Sequence, residues 1–225
     1  MTEGTIQLLD AGEKHGLALA VELYDRYDGD DAFVLASPTS EAIDISGSAV
    51  FSIVYKSPIT EKKSFSYSNY PMGYSLLRLN LAAVAIIGKT HRLSYISLYP
   101  GQYEIIHSEN LLGCSSLEFE REVLRNPLDS ALSTGRAADN GVKFASLQYM
   151  QKALLGAGLG YALRSKGIKG IIAQGFSKTK ESAESKDSQK WVRKIEKSSF
   201  ARRVRKLGAC CFVDDALRLG WLPVR

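Results

Sequence analysis

Apolar and polar positions in the first half of the chain recur mostly with period two. Ala49 to Tyr55 (AVFSIVY) is β-branched and aromatic and ends at Ser57-Pro58, which predicts a strand. Ala32 to Ala36 is a shorter apolar run closed by Ser37-Pro38. Phe65, Tyr67 and Tyr70 alternate with small polar residues ahead of Pro71, the pattern of an edge strand that packs its rings inward. Leu93 to Tyr99 and Gln102 to His107 flank Pro100-Gly101. Proline suits the first central position of a type II turn and glycine the positive φ of the second, so this stretch predicts an antiparallel hairpin. Two stretches fit neither period cleanly. Leu17 to Leu23 alternates like a strand, while His15 to Tyr24 also suits a helix; Tyr74 to Ile87, rich in Leu and Ala, reads as a buried helix.

The second half changes period. Ser115 with Glu118 three residues on forms a capping box, predicting a helix that runs through Leu124 and stops at Asn126-Pro127. Ser133 to Gly141 (STGRAADNG) reads as a loop and marks the expected boundary between regions 1–135 and 136–225. Val142 to Leu155 is expected to be helical, with Phe144, Leu147, Leu154 and Leu155 on its inward stripe. Around Phe200, the residues Phe200, Val204 and Leu207 share one helical face while Arg202, Arg205 and Lys206 share the other. The expected fold is α+β: a mainly antiparallel sheet in the N-terminal half and packed helices in the C-terminal half, compatible with one continuous domain.

Charge sharpens that division. Residues 1–110 hold eight Lys+Arg and thirteen Asp+Glu, a balance of −5, whereas residues 111–225 hold twenty-one and eleven, a balance of +10. An acidic front and a basic back predict either a polyanion-facing surface or head-to-tail self-association. The residues expected to meet the polyanion are Arg193, Lys194, Lys197, Arg202, Arg203, Arg205 and Lys206. Met1 to Asp10 lacks a basic segment followed by an apolar one, so a cytoplasmic or nuclear protein is expected rather than a secreted one.

Local signatures of catalysis are sparse. Gly156, Gly158 and Gly160 are spaced GxGxG after an expected helix, which is the wrong order and spacing for a dinucleotide loop and suits close helix packing better. Arg164, Lys166 and Lys169 follow directly and make a second candidate contact for phosphate. His15, His91 and His107 are widely separated, and the three cysteines include no CxxC pair, so structural histidines, reduced buried thiols, no metal and no cofactor are expected. Asp25 to Asp31 (DRYDGDD) is acidic but lacks the closing Glu of an EF-hand loop.

Length, basic balance and a β-front, helical-back layout resemble RNA-virus matrix, capsid and movement proteins, although PPxY and PTAP motifs are absent. The resemblance implies a non-enzymatic, self-associating scaffold that binds RNA or another polyanion. Two readings stand beside it: an enzyme acting on a phosphorylated ligand near Gly156–Gly170, and a structural protein held peripherally on an anionic membrane surface by the basic cluster with Trp191, Phe200 and Trp221.

Overall fold

The computed structural model describes residues 6–7, 11–12, 14–27, 32–39, 49–69, 71–149, 152–154, 156, 158–174 and 186–221. These form two compact units, one ending at residue 174 and the other comprising residues 186–221.

The larger unit holds two sheets. β1 (Phe33–Ala36), β2 (Phe51–Lys56), β3 (Lys63–Ser68) and β4 (Ala83–Ile86) form an antiparallel sheet in the order β3-β2-β1-β4. The second sheet is mixed. Its strands are β5 (Ser94–Tyr99), β6 (Gln102–His107), β7 (Ser130–Thr134), β8 (Leu147–Tyr149), β9 (Lys152–Leu154) and β10 (Ile168–Ala173), in the order β6-β5-β10-β7-β8-β9. Only β5 and β10 run parallel among these neighbours; the other pairs are antiparallel.

Strand alternation explains the layers. Phe33 and Leu35 enter a core shared with Ile96, Leu98, Leu132 and Ile171 of the second sheet, and with Met72, Leu76, Leu159 and Leu163 of two short helices, α2 (Met72–Arg78) and α5 (Leu159–Arg164). Val34 and Ala36 point the other way, against Ala20 and Tyr24 of α1 (Gly16–Arg26). Buried on both faces, β1 has no polar position, which is why its sequence is a continuous apolar run. The far face of the second sheet is covered by α3 (Ser116–Val123), whose Phe119 and Val123 pack with Leu93, Ala131 and Ile172. Gly170 is required there: a Cβ at this position would lie 2.7 Å from the Phe119 ring.

The α+β class, the 94–107 hairpin and the Ser115–Glu118 capping box are as expected. Three local expectations are corrected. Residues 147–149 and 152–154 are strands, because Leu147 and Tyr149 are buried about a half-exposed Gln148, a two-residue period, while Phe144 is 76% exposed. Residues 72–87 are helix then strand: Asn80 takes φ 55° just beyond α2, where a helix cannot continue. Of the two readings open for Leu17 to Leu23, the helical one holds, since the stretch lies in α1. Phe65 and Tyr67 do lie on an edge strand, but outward, at 44% and 55% exposure, since α1 packs over Val34, Ala36 and Val54 and leaves β3 uncovered. The six-stranded sheet also runs across position 135, drawing on both expected regions. Tyr70, Leu155 and most of the Asp25–Asp31 turn lie outside the described residues; Asp25 itself pairs with Lys63 at 2.5 Å.

The smaller unit is helical: α6 (Lys186–Glu196), α7 (Ser199–Leu207), a 3₁₀ turn (Gly208–Phe212) and α8 (Val213–Arg218). No described helix is long and apolar enough to cross a membrane.

Candidate functional site

Three segments distant in sequence are tied together beside β7 and β10. The first is Gly113-Cys114-Ser115, the approach to α3. The second is α4 (Arg136–Asp139), directly after β7, and the third runs from α5 into β10. Asp139 is the knot. Its carboxylate accepts Lys169 Nζ at 2.5 Å, Arg164 Nε at 2.8 Å and the Gly113 amide at 3.0 Å. Lys169 Nζ also donates to the Cys114 carbonyl at 2.9 Å, and Arg136 Nε donates to the Gly113 carbonyl at 2.8 Å. A buried carboxylate needs partners of this kind, because desolvation is otherwise uncompensated.

At the outer end, Glu118 accepts from the Ser115 amide at 2.7 Å and the Ser115 hydroxyl at 2.8 Å, and from Arg136 Nη2 at 3.1 Å. These bonds, Ser115's first, hold its carboxyl down to about 2. Arg136 therefore joins the first turn of α3 to the start of α4.

The framed space is a cavity of about 360 Å³ whose lining includes Ser115, Ser116, Gly135, Arg136, Ser146 and Gln148. Beneath it, Ser116 meets the Ser133 hydroxyl at 2.5 Å and donates to Glu120 at 3.4 Å, all three residues being buried. Such a wall offers hydroxyls, an amide and a guanidinium, suited to fixing the polar edge of a small molecule. Among the described residues there is no group of three or more His, Cys, Asp or Glu that could hold a metal ion.

The structure turns the Gly156–Gly170 candidates inward. Lys169 is fully buried and committed to Asp139 and Cys114, Lys166 is 2% exposed, and Arg164 is paired with Asp139. Gly158 serves close packing: it takes φ 77°, and a Cβ there would lie 2.1 Å from the Lys143 carbonyl and 2.4 Å from Pro58. The other candidates all belong to the smaller unit. Arg193, Lys194, Lys197, Arg202, Arg205 and Lys206 are exposed there. Lys194 lies over the Trp191 ring at 4.8 Å and Arg205 pairs with Glu196 at 3.5 Å. Arg203 is held internally by Asp215 and by the Cys211 carbonyl, 2.8 Å away. Of the thiols, Cys211 is buried, Cys114 half-buried and Cys210 exposed, so the expected burial holds for one of the three. His107 Nδ1 lies 2.8 Å from the Ser94 hydroxyl, and His91 is exposed.

Sequence reasoning missed Asp139, Arg136 and Ser116. Asp139 and Lys169 are separated by 30 positions, and no local motif links them.

The family model described as the N-terminal domain of aldehyde ferredoxin oxidoreductase matches residues 11–175. Among solved structures, the chain is similar to the active site complex BamBC of benzoyl coenzyme A reductase with 1,5-dienoyl-CoA, at 21% identity and a TM-score of 0.62. That likeness covers 72% of this chain and 27% of the other, so the present chain spans about a quarter of its length; at this identity it shows a shared fold. Comparison with curated sequences finds no match. The family match overturns the non-enzymatic, viral matrix-like reading. The expected partners go with it: RNA or another polyanion, an anionic membrane surface and further copies of the chain. The physical cause of the error is that a basic, amphipathic segment concentrates its signal locally, whereas the signals of a sheet core are spread along the chain.

Proposed function

The chain belongs to the aldehyde ferredoxin oxidoreductase family through its N-terminal domain, and on that premise we propose that it forms the scaffold domain of an oxidoreductase oxidising an aldehyde or a related carbonyl compound. The observation that carries this reading is the family match across residues 11–175, which takes in both sheets and the whole Asp139 network. Oxidation of an aldehyde to a carboxylic acid consumes water and releases two electrons and two protons; the redox chemistry would be supplied by a group bound to such an enzyme, with ferredoxin as the final electron acceptor. This domain's contribution is positional. Ser115, Ser116, Ser146, Gln148 and Arg136 line the cavity and supply hydrogen bonds to a polar ligand edge, and the buried ion cluster keeps that frame rigid.

The test is aldehyde-dependent reduction of a viologen dye by the native assembly, isolated through a tag on this chain. Activity that co-purifies is expected, and Gln148→Ala should lower kcat/KM about tenfold, equivalent to roughly 1.4 kcal/mol of transition-state binding. An assembly that reduces no dye with any aldehyde tested refutes the oxidoreductase reading. Unchanged kinetics in Gln148→Ala and Arg136→Ala would remove the cavity from the site while leaving the family reading in place.

A further inference from the structure

Residues 186–221 bury almost nothing. Among their described side chains Cys211 alone is buried, while nine large apolar residues, including Trp191, Ile195, Phe200, Leu207 and Trp221, are 43–74% exposed. The helices are 11, 9 and 6 residues long. Helices of that length are marginal in water unless an apolar face is covered. Internal support is local: the Phe200 and Phe212 rings lie 5.8 Å apart, Ser198 caps α7 through the Ala201 amide at 3.1 Å, and Arg203 is held by Asp215. Trp191 and Ile195 are successive turns of one face of α6, and Phe200 and Leu207 lie on one face of α7.

Charge indicates what covers this surface. Residues 182–225 hold eleven Lys+Arg and five Asp+Glu, a balance of +6, whereas residues 1–181 hold eighteen and nineteen, a balance of −1. The excess of the whole chain is concentrated in the segment with the exposed apolar side chains, and that segment lies beyond the 11–175 family match. We propose that residues 186–221 are a docking element for a second, different protein whose contact face is apolar at its centre and ringed by carboxylates. Tryptophan, phenylalanine and arginine together are the usual composition of an interface core. So apolar a surface fits a lasting subunit contact better than a brief, mostly polar encounter. The same segment of another copy would bring the same basic excess to the contact, so like charges would oppose one another.

The experiment uses the full chain, tagged and isolated with its assembly from the source organism. A zero-length carbodiimide crosslinker joins Lys to Asp or Glu only where the two are in contact. Crosslinks from Lys190, Lys194, Lys197 or Lys206 to carboxylates of a non-identical polypeptide are expected. The variant Trp191→Ser/Phe200→Ser/Leu207→Ser, which keeps every charge, should retain at least tenfold less of that polypeptide. The unfolding transition of the larger unit, followed separately, should be unchanged, which guards against general misfolding. Three results overturn the proposal: crosslinks confined to this chain or its copies, nucleic acid as the sole added component, or full retention of the partner by the triple variant. The inference stands apart from the oxidoreductase reading: an assembly with these crosslinks but no aldehyde-dependent dye reduction refutes the latter and supports the former.

Discussion

Lys169 on β10 and Asp139 at the end of α4 meet at 2.5 Å, with the lysine side chain completely withdrawn from solvent and that of the aspartate 4% exposed. The pair is stabilising only because other groups complete it. Arg164 and the Gly113 amide also donate to Asp139, and the Cys114 carbonyl accepts a second N–H of the ammonium. The result is a brace that fixes the approach to α3 against a central strand of the six-stranded sheet.

Asp139→Asn should therefore be costly. It leaves the Lys169 charge buried without a counter-charge, and breaking a buried pair from one side costs about 3–5 kcal/mol. Lys169→Met should cost less, since Asp139 keeps Arg164 and the Gly113 amide while the aliphatic stem is replaced. Urea denaturation of both variants and the double mutant checks this. Additive losses in the double mutant would show that the two side chains are not coupled.

The part of the fold legible in the sequence is the part encoded by neighbours. Pro100-Gly101 specifies its hairpin, and Ser115 with Glu118 specifies a helix start, because each needs only residues within a few positions. The β8–β9 region reads as helix in the sequence because Leu147 and Leu154 suit either period over so short a span; pairing with β7 decides it. The brace is illegible for a different reason. Lys166 and Lys169 in a run of glycine and basic residues look like surface cations, and nothing local reveals that Asp139 waits opposite.

Glu118 sets an acid limit. Its carboxyl is held at about 2 by the Ser115 amide and hydroxyl and by Arg136, below the ordinary value of 4.5. A depressed folded-state value means that the unfolded chain binds the proton first. The stabilising contribution is thus complete above about 4.5 and disappears as pH falls toward 2. Glu118→Gln should flatten the loss of stability across that window. Equal slopes for the two proteins in acid-titrated thermal melts would show that the Ser115–Glu118–Arg136 bonds do not form in solution.

Two glycines with nearly the same backbone conformation should respond differently to alanine. Gly141 takes φ 75°, and a Cβ added there would meet nothing within 4 Å, so Gly141→Ala carries only the left-handed cost of about 1–2 kcal/mol. Gly158 takes φ 77°, and its Cβ would also strike the Lys143 carbonyl and Pro58. Overpacking adds about 1–3 kcal/mol, so Gly158→Ala should be the more destabilising of the two. Equal losses in a denaturant titration would mean that α5 can shift away from residues 58 and 143.

The brace also predicts a chemical readout at Cys114, which is half-buried in the segment that Lys169, Arg136 and Asp139 hold. Its thiol lies 3.8 Å from the Asn110 carbonyl. Freeing the Cys114 carbonyl and the Gly113 amide from their charged partners should let this segment open more often, and thiol labelling tracks that opening. In a Cys210→Ser/Cys211→Ser background, Cys114 is the one remaining cysteine. Iodoacetamide labelling should then be several-fold faster in Lys169→Met, which removes the donor to the Cys114 carbonyl, and faster still in Asp139→Ala, which removes the acceptor of the Gly113 amide and leaves Lys169 without its counter-charge. Arg136→Ala should give a smaller increase, because the bonds it removes, to the Gly113 carbonyl and to Glu118, are exposed and the buried pair stays intact. Measured under conditions where each variant remains folded by circular dichroism, identical labelling rates across the series would show that the segment is held by α3 packing alone, through Phe119 and Val123.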